Sequence, residues 1–479
     1  MFATGLEWAA WAVAVPLVGA LLAGLLPRFG PGLGLGFGVL TALAVSGAVR
    51  AVWHHGPVRG GLGGWDVPLG IALSLDGLAA LMLAMTAVVG LAVSIYALGY
   101  LRGAPMRGKF WALWLWLWAA MNALFLSGDV FNLYVTLELV GLAAVALTAL
   151  SGGAAALTAA MRYLLVSLLG SLAYLMGVAL LYGGYGVLDL AALGAAMEPD
   201  NVSRLAAALM TVGLLMKTAL FPLHVWLPPA HASAPAPVSA VLSALVVKAS
   251  FYLILRLWLD VFPALTVPGF ELFMGGLGAG ALLWGSVLAL RAARLKQVVA
   301  YSTVAQLGYL FLVFPLMAVT PGAWQAVVFF ALAHGCAKAT VFLAAGSLQQ
   351  AAGHDRLADL GPVMRAEPMS VFAFAIAGAS LVGLPLTGGF IAKWLLVEAA
   401  LVGEAWGWAG LVLLGGLLAG AYVFRVLGHA FGRGPASPDH RPVPGVMGWS
   451  TLALALVSVV LGFAGAASLE LLTRHGGRP

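Results

Sequence analysis

The sequence predicts an all-α integral membrane protein of about fourteen transmembrane helices. Three observations predict it: an apolar composition with few charges, apolar runs of membrane-crossing length from end to end, and two of those runs broken by proline and glycine. The chain is 63% hydrophobic and 8% charged, whereas soluble domains carry about 25% charged residues. So few charges cannot coat a water-exposed surface. Crossing the hydrocarbon core takes about 20 apolar residues per helix, and runs of that length recur throughout. The 62 glycines fit the same class, because small residues let membrane helices approach closely.

By that yardstick the spans fall near 6–27, 32–52, 71–100, 110–127, 130–150, 160–183, 204–234, 237–258, 269–290, 298–318, 322–348, 369–400, 406–430 and 446–468. The first run carries Glu7 ahead of its apolar stretch and no Lys or Arg. A signal peptide wants a positive start, so this run reads as a retained helix. Runs 204–234 and 369–400 are too long for one straight helix. The first contains Phe221-Pro222-Leu223-His224 and the second Gly383-Leu384-Pro385-Leu386-Thr387-Gly388-Gly389. Proline removes a helical hydrogen bond and glycine loosens the backbone around it. In lipid, the freed groups survive only when buried in protein or facing a watery cavity. Two interrupted spans set five apart are the pattern of an inverted-repeat transporter.

Cytoplasmic loops collect Lys and Arg, which allows a test of orientation. Loops after odd-numbered spans hold thirteen basic residues, among them Arg102, Lys109, Arg162, Lys296, Arg425 and Arg433; loops after even-numbered spans hold four, Arg50, Arg59, Arg204 and Arg256. That asymmetry predicts cytoplasmic odd loops and both termini outside, with Arg474 and Arg478 on the outer tail. The net charge of +6 is thus membrane topology, not a nucleic-acid-binding face.

The other four basic residues, Lys217, Lys248, Lys338 and Lys393, lie deep in apolar runs. A lysine at mid-membrane costs about 2.5–3.5 kcal/mol on insertion scales, and such residues usually mark ion pathways. Glu138 stands alone in the run from Phe131 to Leu150, and His334 and Lys338, four residues apart, share one helix face. The structural alternative is a set of static ion pairs locking helices together. One acid cannot neutralise four lysines, however, so several must be neutral or paired with water and histidine. Burial disfavours the charged form of an amine, which suits these residues to exchanging protons.

Other features exclude functions. The single Cys336 rules out a disulfide framework or cysteine metal site. Gly60-Gly61-Leu62-Gly63-Gly64 lacks the Lys and Ser/Thr of a phosphate loop. No nucleotide, flavin, haem, iron–sulfur or metal site is expected, so the cofactor expectation is none. Asp76, at the start of the third span, and Asp129, just before the fifth, read as helix caps. Trp111, Trp114, Trp116 and Trp118 read as a lipid-facing interfacial anchor beside Lys109.

Several segments together resemble the antiporter-like membrane subunits. They are Ser127 to Glu138, Phe221-Pro222-Leu223-His224-Val225-Trp226-Leu227-Pro228 continuing to Ala240, Arg294 to Thr303, Ala333-His334 to Lys338, and Gly388-Gly389-Phe390-Ile391-Ala392-Lys393-Trp394. The family includes subunits of Mrp-type multi-subunit cation/proton antiporters and the proton-pumping membrane subunits of complex I and of membrane-bound hydrogenases. The resemblance implies two inverted five-helix repeats, each with one broken helix. It implies N-terminal helices over 1–109, the first repeat over 110–262, the second over 263–430, and a last helix and tail over 431–479. It also implies that Glu138 pairs with Lys217, that Lys248 passes charge through His334 and Lys338, and that Lys393 completes the route.

In one place the chain departs from the family: Pro229-Ala230-His231 stands where relatives carry an acidic residue before Ala-His. His224 and His231 are then candidates for proton uptake, with an unperturbed pKa of about 6.5, or for hydrogen bonding the helix break. Lys393, in place of a glutamate at the second break, is similar to both the D-type subunit of Mrp antiporters and the smallest antiporter-like subunit of complex I, and the setting of Tyr134 and the Phe221 to Ala240 segment are most similar to the D-type subunit. The sequence ends soon after the last span, which argues against the largest complex I and Mrp subunits. The expected activity is proton translocation, with no catalytic site of its own, in a Na+ or K+/proton antiporter of a bacterial inner membrane, with other membrane subunits as partners. A redox-driven pump is the runner-up and an inorganic-carbon uptake complex the third reading.

Overall fold

The computed structural model describes residues 5–61, 65, 70–431 and 441–474; Leu62, Gly63, Gly64, Arg433 and Arg478 lie outside them. Helices α1 (Gly5–Leu25) and α2 (Gly30–His55) lead into a short antiparallel hairpin, β1 (Val58–Gly61) and β2 (Ala72–Leu75), in which Val58 faces Leu75. The strand displaces the start of the third span, predicted at 71, to α3 (Gly77–Tyr100). Asp76 sets that start. Its backbone is extended and its carboxylate accepts from the Ala79 N–H at 2.9 Å, which satisfies an orphan donor of the first turn.

Next come α4 (Arg107–Leu126), α5 (Val130–Ala149), α6 (Gly153–Tyr185) and the short α7 (Leu190–Ala196). Asp129 caps α5 as expected, accepting from the Asn132 N–H at 2.7 Å. The tryptophans of α4 correct the sequence reading. Trp111, Trp114 and Trp118 are buried, not lipid-facing. Glycines on packed neighbours make slots for the indoles: a Cβ at Gly34 of α2 would lie 2.0 Å from Trp111, and one at Gly90 of α3 2.8 Å from Trp118. Trp114 Nε1 donates to Ser94 Oγ at 2.9 Å.

The first interrupted run is α8 (Asn201–Thr218) and α9 (Leu227–Ser233). Then α10 (Ala236–Val241), a π-helical turn Leu242–Val246 and α11 (Val247–Asp260) form one rod. Arg256, predicted in an outer loop, belongs to this rod. It is buried and donates to both Asp76 carboxylate oxygens at 2.5 and 2.9 Å. The acid that caps α3 thereby ties that helix to α11.

The remainder is α12 (Phe270–Arg291), α13 (Leu295–Phe311), α14 (Val313–Met317), α15 (Ala323–Ala352), α16 (Gly361–Ala366), α17 (Pro368–Val382), α18 (Gly388–Val402), α19 (Trp406–Gly428), α20 (Gly445–Phe463) and α21 (Gly465–Thr473). Among the described residues, twelve helices are long and apolar enough to cross a membrane. The two proline-bearing runs are each in two pieces and fall outside those twelve. Every side chain is buried over 236–257 and 326–348. The rod of α10 and α11 and the long α15 are therefore the core around which the other helices pack, and these two carry Lys248, His334 and Lys338.

Candidate functional site

Lys217 lies in the last turn of α8. Its Nζ donates to Glu138 Oε1 at 3.1 Å and to Ser167 Oγ at 3.0 Å, so α5, α6 and α8 meet at one ammonium. Gly141, on the face of α5 next to Glu138, leaves the room: a Cβ there would lie 2.9 Å from Ser167 Oγ and 3.4 Å from Lys217 Nζ. Lys217 is buried and Glu138 partly exposed. The pair predicted from sequence is formed.

Lys248, fully buried on α11, donates to the carbonyl of Ser243 in the π turn. A π turn redirects backbone carbonyls and is frequent at functional sites. The Ser243 and Thr303 hydroxyls lie 2.8 Å apart, linking the turn to α13. Lys338 on α15 also reaches α13, donating to the Val299 carbonyl and Ser302 Oγ, each at 2.6 Å. One turn earlier, His334 is stacked on Phe330 at 5.6 Å, and neither ring nitrogen has a hydrogen-bond partner among the described residues. Four residues before Lys338, it lies on the same face of α15.

Lys393 sits one turn inside α18, beyond the second break. Its Nζ donates to the carbonyls of Leu381 at 2.7 Å and Val382 at 3.0 Å and lies 4.9 Å from the Tyr309 ring centroid. Those carbonyls end α17, where the chain turns through Gly383 at φ +90°, a conformation that glycine adopts at little cost. A helix C-terminus carries partial negative charge, so the break supplies the counter-charge. Among the described residues, Lys217 alone of the four lysines has a carboxylate partner. The other three are held by carbonyls and hydroxyls, not locked in static ion pairs.

His231 on α9 is fully buried, stacked on Phe342 at 4.5 Å, and neither ring nitrogen has a partner among the described residues. Its ring does not hydrogen-bond the helix break. There Trp226 Nε1 donates to the Met216 carbonyl at 2.9 Å and Ser239 Oγ to the His231 carbonyl at 3.1 Å. His224 is stacked on Phe221 at 5.7 Å. A cavity of about 540 Å³ opens beside α9 between α6 and α13, bordered by Arg162, Pro228, Pro229, Gln297 and Tyr301; neither histidine lines it.

Sequence reasoning missed Lys296 by counting it as a cytoplasmic loop residue. It is buried in the first turn of α13, and its Nζ donates at 2.5 Å to the carbonyl of Ala234, which ends α9. The signal was its position two residues beyond Arg294, at the start of an apolar run where the charge count sees only a loop. No hydrogen bond joins Lys217 to Lys248 among the described residues, and the groups divide by the kind of partner: Lys217 is paired with the Glu138 carboxylate, whereas Lys248, Lys296, Lys338 and Lys393 each donate to neutral acceptors.

This arrangement can be compared with known proteins. Residues 127–419 match the family described as NADH:quinone oxidoreductase/Mrp antiporter, TM, and residues 64–111 match the complex I chain 5 N-terminus. The chain is 37% identical over 447 residues to the N-type subunit of NADH-quinone oxidoreductase from Desulforudis audaxviator, covering 90% of this chain and 88% of that one. It is 29% identical over 427 residues to the D-type subunit of the Na+/H+ antiporter from Bacillus subtilis, covering 88% and 86%. The Mrp complex of a Dietzia species contains a chain of like fold, with a TM-score of 0.87, 26% identity, and coverage of 98% and 96%. The paired acid and lysine, the two broken segments and these matches agree: the chain belongs to the NADH:quinone oxidoreductase/Mrp antiporter membrane family and is one of its antiporter-like, proton-translocating subunits.

Proposed function

We propose that the chain moves protons as the D-type subunit of a multi-subunit Na+ or K+/proton antiporter of a bacterial inner membrane, with both termini on the outer side. The observation that carries this reading is the contrast between the two sets of groups. Lys217 is held by a carboxylate, whereas Lys248, Lys338 and Lys393 are held by neutral acceptors. An ammonium held by a carbonyl can give up its proton without stranding a buried anion, since burying an unpaired charge is costly. Protons are taken up near His224 and His231. They pass along Lys248, Lys338 and His334 to Lys393, and the Glu138–Lys217 pair sets the charge that the first lysine feels.

A redox-driven complex is the second reading, favoured by the 37% identity to a quinone oxidoreductase subunit against 29% to the antiporter subunit. Vesicles holding the native complex separate the two. Exchange of protons for sodium or potassium across an imposed gradient, with no electron donor or acceptor present, is the expected result. Transport that needs electron donor and acceptor would instead assign the chain to a redox-driven pump.

A further inference from the structure

A groove of about 480 Å³ runs along the outer side of α2 and α3, far in sequence from the lysine line. Small side chains carve it: Ala42 and Val45 on α2, Ala84 and Ala87 on α3. Its walls offer no free polar group midway, because the Ser46 hydroxyl donates back to the Ala42 carbonyl at 2.8 Å. One end is different. Arg50, Trp53 and His54 line the groove where α2 finishes, and Arg50 and His54, four residues apart, share a helix face. The Arg474 guanidinium lies 5.5 Å from the Trp53 ring centroid.

Length and charge identify the occupant. From Ala42 to His54 the helix rises about 18 Å at 1.5 Å per residue, against about 15 Å for one leaflet's share of a hydrocarbon core about 30 Å thick. The groove therefore spans one leaflet and stops near the middle of the membrane. A partner's transmembrane helix would need a seat across both leaflets; one lipid tail needs this much. The headgroup end is basic: Arg50 and His54 are exposed, Arg50 has no carboxylate partner among the described residues, and the nearby Arg474 is paired with Glu470 at 3.8 Å. Tryptophan sits at the membrane–water boundary by preference, and a guanidinium pairs with a phosphate through charge-assisted, often bidentate hydrogen bonds.

We propose that the α2–α3 groove binds an anionic phospholipid, with one acyl chain along Val45 and Ala84 and the phosphate at Arg50 and His54. Native mass spectrometry of the detergent-purified complex tests this, using phosphatidylglycerol and phosphatidylcholine of matched chains. Phosphatidylglycerol should be retained several-fold better, Arg50→Gln should weaken that preference about fivefold, and Ala84→Phe should reduce retention of both lipids. Equal retention of the two lipids by the unaltered complex overturns the proposal even if no variant assembles. Retention by Ala84→Phe at the unaltered level, with displacement by inorganic phosphate, would reduce the site to a headgroup contact and overturn the tail assignment. Cross-linking of Val88→Cys to another subunit would make the groove a protein interface and overturn the proposal as well.

Discussion

Lys217 Nζ lies 3.1 Å from Glu138 Oε1 and 3.0 Å from Ser167 Oγ, so its charge is set from two neighbouring helices at once. Because the two residues act as one unit, Glu138→Gln and Lys217→Ala should each lower proton-coupled transport by about 100-fold or more. The double variant should be little worse than either single one. Gradient-driven proton flux in vesicles, with assembly followed separately, measures both. Full activity from assembled Glu138→Gln complex would remove the pair from the mechanism.

Lys393 tests the second break. Arginine would keep the positive charge and could still donate to the Leu381 and Val382 carbonyls, but it cannot release its proton, its pKa lying above about 12. Lys393→Arg should assemble normally and lose most transport. Wild-type exchange rates in such vesicles would show that position 393 is an anchor.

Lys296 separates stability from transport. Lys296→Met leaves the buried Ala234 carbonyl without its donor, at a cost of about 1–3 kcal/mol, and should lower the melting temperature of the purified complex. Lys296→Arg keeps a donor and should recover much of that stability, with flux close to native, because Lys296 lies off the proposed route. Loss of flux in stable Lys296→Arg complex would add Lys296 to that route.

The tryptophan slots give a prediction about assembly. A Cβ at Gly34 would lie 2.0 Å from the Trp111 ring, and overpacking of this kind costs about 1–3 kcal/mol. Gly34→Ala should lower thermal stability, and adding Trp111→Leu should restore part of it. Additive losses in the double variant would mean that the two positions do not meet.

The charged residues of the proposed path were legible because a lysine or glutamate stands out in an apolar run, and the breaks because Pro222 and Pro385 cannot donate to a helical ladder. Their partners were not legible. Whether Lys248 finds the Ser243 carbonyl depends on a π turn that leaves no composition signal, and the Val299 and Ala234 carbonyls belong to helices distant in sequence. The indoles of α4 were misread for a similar reason. An interfacial belt and a glycine-slotted core have the same local composition, and only the facing Gly34 and Gly90 distinguish them. Arg256 and Lys296 sat close enough to run ends to be counted as loop charges.

Three of the buried ammoniums are tied to places where the backbone leaves the regular α-helical ladder: the end of α9 for Lys296, the π turn for Lys248 and the end of α17 for Lys393. Each tie is a charge-assisted bond, about twice as strong as a neutral one, and it weakens when the amine becomes neutral. Protonation and local winding are consequently one variable at these positions. On the proposed route, a segment that has given up its proton holds its irregular turn less firmly than one that keeps it, so the passage of a charge is also a travelling change in the stiffness of the protein.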